Sequence, residues 1–214
     1  MKKTLLISLT LLLITGCVTR GAVELEEAEV TGYQGEDLSS INAFRENSIR
    51  GPQYVNISEY ELEVNGLVNN PMNYSYNEVL AHQSYKKVVT LYCVEGWSVK
   101  ILWEGVLLED LFNEVEVLPE ADTVIFHAYD GYSTSLSLDY LLSNDIILAY
   151  KINNVTLPPA NGYPFQLVAE DKWGYKWIRW VTRIELSADS DYQGFWEQRG
   201  FNQNGSVSGP KLEQ

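Results

Sequence analysis

Short apolar runs that end at turn residues limit the folds open to this chain. Residues 87–93, 123–129 and 146–152 are such runs, and each is rich in β-branched or aromatic residues. The last two end at Asp130-Gly131 and Asn153-Asn154, pairs that favour tight turns. The sequence shows no internal repeat and no long amphipathic helix. These features predict an α+β domain with a mixed β-sheet and short helices.

Further elements follow from local patterns. Residues 60–64 alternate apolar and acidic side chains, which indicates a half-buried strand, and residues 177–186 resemble a one-sided strand. Ser75 and Glu78 have the spacing of a capping box, which predicts a short helix to about His82. Residues 107–115 indicate another helix, and Gly105 before them is expected to mark a turn.

Length and charge restrict the functional classes. A chain of 214 residues has room for one domain with ragged ends. It carries 15 Lys and Arg against 29 Asp and Glu, a net charge of −14. Because nucleic-acid binding depends on surplus cations, this balance argues strongly against a nucleic-acid partner.

The N-terminal residues have the pattern of an export signal. Lys2 and Lys3 precede an apolar stretch, residues 5–14, which is too short to span a bilayer. The stretch ends in Ile14-Thr-Gly-Cys17, which is similar to the lipobox of bacterial lipoproteins; the alternative is an ordinary signal peptide with a chance cysteine. We therefore expect lipidation at Cys17 and an extracytoplasmic, membrane-anchored protein, in the periplasm or on the cell surface.

These patterns divide the chain into four segments. Residues 1–16 are predicted to be the signal peptide, and residues 17–41, rich in glutamate, a lipidated acidic tether. Residues 42–200 hold the folded domain. Residues 201–214 are polar and rich in glycine, which predicts a flexible tail.

Two features remain as candidate chemistry. With Cys17 lipidated, Cys93 is the single remaining thiol, and it is either a buried, inert side chain or a functional thiolate. Four cations lie within twelve residues, and they either bind an anion or pair with the acidic excess. These cations are Lys172, Lys176, Arg179 and Arg183. The two histidines, His82 and His127, are too far apart in sequence to suggest a zinc site.

Nine blocks in order resemble the sulfite oxidase superfamily, in particular stand-alone domains of the type found in catalytic subunits of periplasmic methionine-sulfoxide reductases. The blocks are Thr90–Trp97, Trp103–Val106, Leu108–Leu111, Phe126–Tyr132, Leu148–Tyr150, Leu157–Pro164, Trp173–Lys176, Trp180–Ile184 and Gly194–Gly200. The resemblance implies a sulfite-oxidase-like, molybdopterin-binding fold from about Asn42 to Gly200.

The resemblance also implies a cofactor and residues that hold it. The cofactor is a molybdenum-bearing pyranopterin, and Cys93 corresponds to the thiolate that ligates the metal, a soft donor suited to a redox metal. The residues implied to bind the cofactor are Asn42, Arg45, Asn161, Gln166, Tyr175, Lys176, Trp177 and Arg179. Besides Cys93, the residues implied near the reacting centre are Tyr129, Asp130 and Tyr132.

The implied activity is a two-electron oxygen-atom transfer on a small or protein-borne sulfur-type substrate. Since the chain has no haem-attachment motif, a separate membrane electron-transfer partner is expected. The chain departs from the family where Gln166 replaces a phosphate-binding Arg, where Ala128 replaces a hydroxyl residue, and in a leader without twin arginines. Gln166 and the plain leader favour an alternative, a cofactor-free ligand-binding lipoprotein on the same scaffold, whereas the intact cysteine block and Arg179 favour the enzyme.

Overall fold

The computed structural model describes residues 28–213, so the predicted signal peptide and Cys17 lie outside the described residues. The strands are β1 (Gly32–Tyr33), β2 (Glu36–Asp37), β3 (Glu61–Gly66), β4 (Met72–Ser75), β5 (Tyr85–Tyr92), β6 (Ser98–Leu107), β7 (Thr123–Ala128), β8 (Ser133–Ser137), β9 (Ile147–Ile152), β10 (Val155–Thr156), β11 (Gln166–Leu167) and β12 (Val181–Ser187). The helices are α1 (Tyr76–Leu80), α2 (Leu108–Val115) and α3 (Leu138–Ser143), and 3-10 turns cover Ile41–Ala43, Pro159–Asn161, Gly174–Lys176 and Glu197–Arg199.

Two sheets enclose the core of the described chain. One has the order β10-β9-β6-β5, with β11 also paired to β9, and the other has the order β4-β3-β12-β7-β8. The β12–β3 pair is parallel while the neighbouring pairs are antiparallel, so the second sheet is mixed. The predicted α+β class with a mixed sheet and short helices is confirmed. Within residues 28–213, no helix combines the length and apolar character needed to cross a membrane.

Local sequence explains the regular elements. In β3, Leu62 and Val64 are fully buried while Glu61 and Glu63 are exposed, as their alternation predicts. The capping box at the start of α1 is present, because Ser75 Oγ accepts from Glu78 N and a Glu78 carboxylate oxygen accepts from Ser75 N. In α2 the buried positions recur at helical spacing, at Leu108, Leu111, Phe112 and Val115.

Gly105 lies inside β6 and not in a turn, so this prediction is wrong. A Cβ atom at this position would lie 2.2 Å from the carbonyl oxygen of Leu148 on β9. The glycine therefore permits a close approach of two strands, which is a common reason for glycine within a strand.

The predicted strand over residues 177–186 begins only at Val181. Trp180 has a φ of +54°, and its backbone N–H donates to the carbonyl oxygen of Gly162 at 3.3 Å, so the chain bends immediately before the strand. Residues 177–180 therefore lie outside the sheet, where their side chains can line a cavity.

The predicted acidic tether and the predicted flexible tail both make backbone contacts with the domain where the structure describes them. Before residue 42, Val30 N donates to Asn153 O at 3.0 Å and Ser39 N donates to Lys100 O at 2.8 Å. Beyond residue 200, Gly205 O accepts from Trp173 N at 2.7 Å, and Phe201 forms an isolated antiparallel β-bridge with Leu212. Composition does not reveal these contacts, because both segments dock largely through backbone hydrogen bonds, which any residue type can make.

Candidate functional site

A cavity of about 220 Å³ lies where the C-terminal end of β5 meets several loops. Most of the predicted site residues line it. They are Arg45, Cys93, Asp130, Tyr132, Asn161, Gln166, Tyr175, Trp177 and Arg179. Since these residues are scattered over more than half of the sequence, the two sheets and their loops bring them together.

Cys93 is the first residue after β5, and a tight turn holds it in the cavity wall. Its N–H donates to Trp97 O at 2.9 Å, and Gly96 N–H donates to Cys93 O at 3.1 Å. Gly96 has a φ of +89°, a conformation that favours glycine. The thiol is free and only 5% of the residue is exposed, and what is exposed faces the cavity.

Two polar side chains lie next to the sulfur. Asn47 Nδ2 is 3.6 Å from Cys93 Sγ, and Glu95 Oε2 is 3.8 Å from it. Burial is the main cause that raises the pKa of the Cys93 thiol. A metal ion bound at this sulfur would reverse that preference, because metals bind the thiolate and displace its proton.

Arg179 provides a cation in the cavity wall. Its Nη1 donates to Glu46 Oε2 and to Ala160 O, both at 3.0 Å, and its Nη2 donates to Asn47 Oδ1 at 3.2 Å. The guanidinium also lies 4.8 Å from the centre of the Trp180 ring. The side chain is therefore fixed in place and 17% exposed.

Gln166 lies beside Arg179, and the two residues form an isolated β-bridge. Gly162 packs between them with a φ of +103°, and a Cβ atom there would lie 3.0 Å from Arg179 Cγ and 3.1 Å from Gln166 Cβ. Gln166 Oε1 is buried and has no hydrogen-bond partner among residues 28–213. An acceptor left without a donor in a cavity wall fits a ligand that carries N–H groups.

Asp130 and Tyr132 form another part of the wall, at the turn between β7 and β8. Asp130 Oδ1 accepts from Tyr132 N at 3.0 Å, and Tyr132 Oη donates to Tyr175 O at 2.5 Å. Burial raises the pKa of Tyr132 well above its usual value, so this phenol stays protonated at neutral pH. Tyr129, predicted beside them, is 57% exposed and does not line the cavity.

Asn42 and Lys176 are also absent from the cavity wall, contrary to the prediction. Asn42 is exposed within a 3-10 turn. Lys176 is fully buried and points away, with Nζ 2.5 Å from Glu197 Oε1 and 3.1 Å from Ser135 O. A lysine whose charge is removed from water needs such a carboxylate partner.

The four clustered cations do not act together. Arg179 alone of the four lines the cavity. Lys172 Nζ donates to Asn204 Oδ1 at 2.8 Å, and Arg183 contacts Glu185 at 3.3 Å on β12. The interpretation that these cations pair with the acidic excess therefore holds for Lys176, Arg179 and Arg183, and the four side chains do not line one cavity.

Several cavity residues were missed by the sequence analysis. They are Phe44, Asn47, Ser48, Ile49, Trp97, Ile178, Trp180, Trp196 and Phe201. The resemblance at Asn42 and Arg45 indicates this N-terminal segment, but of its cavity residues it identifies Arg45 alone. Nothing in the local pattern indicates Phe201, because the segment after Gly200 reads as a flexible tail.

Comparison with known proteins gives a family match over most of the chain. Residues 49–196 match the family described as the oxidoreductase molybdopterin binding domain. The uncharacterised oxidoreductase YuiH of Bacillus subtilis is 34% identical over 155 residues, which are 72% of this chain and 78% of that protein.

Two further matches are with longer proteins. The protein-methionine-sulfoxide reductase catalytic subunit MsrP of Gluconobacter oxydans is 30% identical over 180 residues, covering 72% of this chain and 57% of that protein. The crystal structure of the sulfane dehydrogenase SoxCD from Paracoccus pantotrophus superposes with a TM-score of 0.64 at 20% identity, covering 70% of this chain and 42% of that chain. The latter match supports the fold alone.

Proposed function

Because the chain belongs to the oxidoreductase molybdopterin binding domain family, we propose that this molybdopterin oxidoreductase transfers an oxygen atom, with two electrons, to or from a sulfur-type substrate. The substrate is small or borne by a protein. The MsrP relative is named as a protein-methionine-sulfoxide reductase, which supports a sulfur substrate.

The observation that carries this proposal is a thiol and an unpaired acceptor in the wall of one cavity. Cys93 Sγ would ligate molybdenum, since a soft sulfur donor suits this metal. Gln166 Oε1 lacks a donor among the described residues and would accept from an N–H group of the pterin. The residues present therefore fit the cofactor.

Positive charge for the cofactor's phosphate would come from two arginines. Arg179 is held in the cavity wall, although Glu46 already uses part of its hydrogen-bonding capacity. Arg45 lines the same cavity and forms no ion pair with any residue from 28 to 213. Two such guanidinium groups offset the neutral Gln166, which cannot make a charge-assisted contact with phosphate.

The remaining wall residues would shape the reaction space. The bound cofactor supplies two-electron redox chemistry. Trp177, Trp180 and Trp196 would line this space with large, mainly apolar surfaces. The Tyr132 hydroxyl already donates its hydrogen to Tyr175 O, and Asp130 accepts from the backbone of Tyr132. We therefore assign these two residues a structural role in the cavity wall.

The position of the protein in the cell is the second part of the proposal. We propose a lipid anchor at Cys17 on the outer side of a membrane, supported by the lipobox pattern. A separate membrane electron-transfer protein would supply or remove the electrons, because this chain lacks a haem-attachment motif.

Cys17→Ala is expected to release the protein from the membrane fraction into the soluble fraction. Lipid acylation at Cys17 would be lost, and the apolar signal stretch is too short to replace it. Fractionation of native-host cells, with a salt wash of the membranes, measures the distribution. Retention of the variant in washed membranes to the wild-type extent would contradict the lipid anchor.

Elemental and pterin analysis tests the enzyme assignment. Protein purified from its native host, grown with molybdate, is expected to contain about one molybdenum atom and one pterin per chain. The control is the same protein from cells starved of molybdate, which should contain no molybdenum. A sample free of metal and pterin from molybdate-replete cells would instead favour the cofactor-free ligand-binding lipoprotein.

A further inference from the structure

Asn47 connects the cavity arginine to the cavity thiol. Its Oδ1 accepts from Arg179 Nη2 at 3.2 Å, and its Nδ2 lies 3.6 Å from Cys93 Sγ. The amide is thus placed between a cation and a sulfur atom that are far apart in sequence. Nothing in the sequence pattern singles out this residue.

The chemistry of Arg179 decides which way the amide faces. A guanidinium has only N–H donors, so it can hydrogen-bond only to the oxygen of the Asn47 side chain. The NH₂ group must then point the other way, toward Cys93 Sγ. The orientation of an amide is assigned from such partners, and here the partner permits one orientation.

Arg179 is itself immobilised, which makes it a firm support for Asn47. Besides Asn47, it donates to Ala160 O and Glu46 Oε2, and it stacks on Trp180. A partner held by this many contacts loses little further entropy when it binds Asn47.

The sulfur has a different neighbour on its other side. Glu95 Oε2 is an acceptor 3.8 Å from Cys93 Sγ, and it also accepts from Trp97 Nε1 at 3.1 Å. A carboxylate repels a thiolate, whereas an N–H donor stabilises it. The backbone N–H of Glu95 also stabilises the thiolate, and among the side chains of residues 28–213 that hydrogen-bond this sulfur Asn47 is the one that does so.

We propose that Asn47 is a positioning residue for the metal-ligating thiolate of Cys93. Its N–H···S bond directs the sulfur into the cavity and withdraws electron density from it, which raises the midpoint potential of the metal centre. Hydrogen bonds to ligand atoms are known to tune metal sites in this way. This inference rests on the proposed function, in which Cys93 binds molybdenum.

Two substitutions separate the donor from the rest of the side chain. Asn47→Asp keeps the size and the acceptor for Arg179 but removes the donor to sulfur, while adding a charge. Asn47→Leu removes the donor without adding a charge. In both variants we expect the midpoint potential of the molybdenum centre, measured by EPR-monitored redox titration, to shift to more negative values, with a larger shift for Asp.

Glu46→Gln is the matched control. It lies on the same segment and contacts the same guanidinium, but it does not contact the sulfur. Since it removes a negative charge, it should leave the potential unchanged or shift it to more positive values. A negative shift in this variant as well would assign the effect to general disturbance of residues 44–49 and overturn the proposal.

Molybdenum content separates failure of this inference from failure of the proposed function. Wild-type protein without molybdenum would refute the proposed function. Loaded wild type with an unchanged potential in both Asn47 variants would refute the role of Asn47 alone. Loss of molybdenum from both variants but not from Glu46→Gln, with wild type loaded, would support the positioning role, because residues that orient a metal ligand contribute to metal affinity.

Discussion

Replacing Cys93 with serine is expected to lower the rate of oxygen-atom transfer by at least about 100-fold. Substitution of residues that merely orient a metal ligand already lowers metal affinity or activity by about 10- to 100-fold. A hydroxyl is a much poorer ligand for molybdenum than a thiolate. The fold should persist, since the substitution changes one buried atom and keeps the turn at Gly96. The assay follows reduction of methionine sulfoxide and oxidation of sulfite with artificial electron carriers, alongside molybdenum content.

The chain supplies a matched control for this substitution. Cys17→Ser alters the other of its two cysteines and should leave molybdenum content and activity of the detergent-solubilised protein unchanged. Wild-type activity and molybdenum content in Cys93→Ser would refute the ligand role. A loss of activity in Cys93→Ser together with an altered circular dichroism spectrum would show that Cys93 is needed for folding, and would refute the claim that its role is confined to the site.

Local patterns in the sequence were sufficient for most of the regular structure. The alternation in β3, the capping box of α1 and the helical spacing in α2 each depend on residues a few positions apart. Such short-range periodicity records which side chains face the core. The strand predicted from Trp177 was less accurate, because the positive φ of Trp180 overrides an alternation that continues through it.

The resemblance to a family pointed to residues that line one cavity, but it did not place every one of them there. Cys93, Gln166 and Arg179 line the cavity, whereas Lys176 does not. No local pattern in the sequence indicates that Lys176 forms a buried ion pair with Glu197, which lies 21 residues later. Contacts of this kind depend on the path of loops, which local propensity does not determine.

Asn47 illustrates the same limit within the cavity. Its two neighbours, Arg179 and Cys93, are 132 and 46 positions away. Asparagine is common in polar loops, so the sequence alone does not indicate that Asn47 contacts both Arg179 and Cys93. Phe201 lines the cavity in the same way, although it lies in the segment that was expected to be a flexible tail.

Lys176→Met is expected to lower the free energy of unfolding by about 3–5 kcal/mol, the usual cost of leaving one charge of a buried pair without its partner. The side chains of Lys176 and Glu197 are 0% and 1% exposed. Thr134 Oγ1 also donates to Glu197 Oε1, at 2.6 Å, but a hydroxyl cannot neutralise the carboxylate. Urea unfolding followed by tryptophan fluorescence measures the change.

Lys172→Met is the matched control, because it makes the same chemical change four residues earlier. Lys172 is also buried, but it donates to an uncharged partner, Asn204, and lies over the Tyr140 ring, so the loss should be smaller, about 1.5–3 kcal/mol. The double variant Lys176→Met/Glu197→Gln should be more stable than Lys176→Met alone, since it removes the stranded carboxylate. Equal losses in Lys176→Met and Lys172→Met, or a double variant no more stable than the single, would show that the stranded carboxylate does not account for the loss of stability.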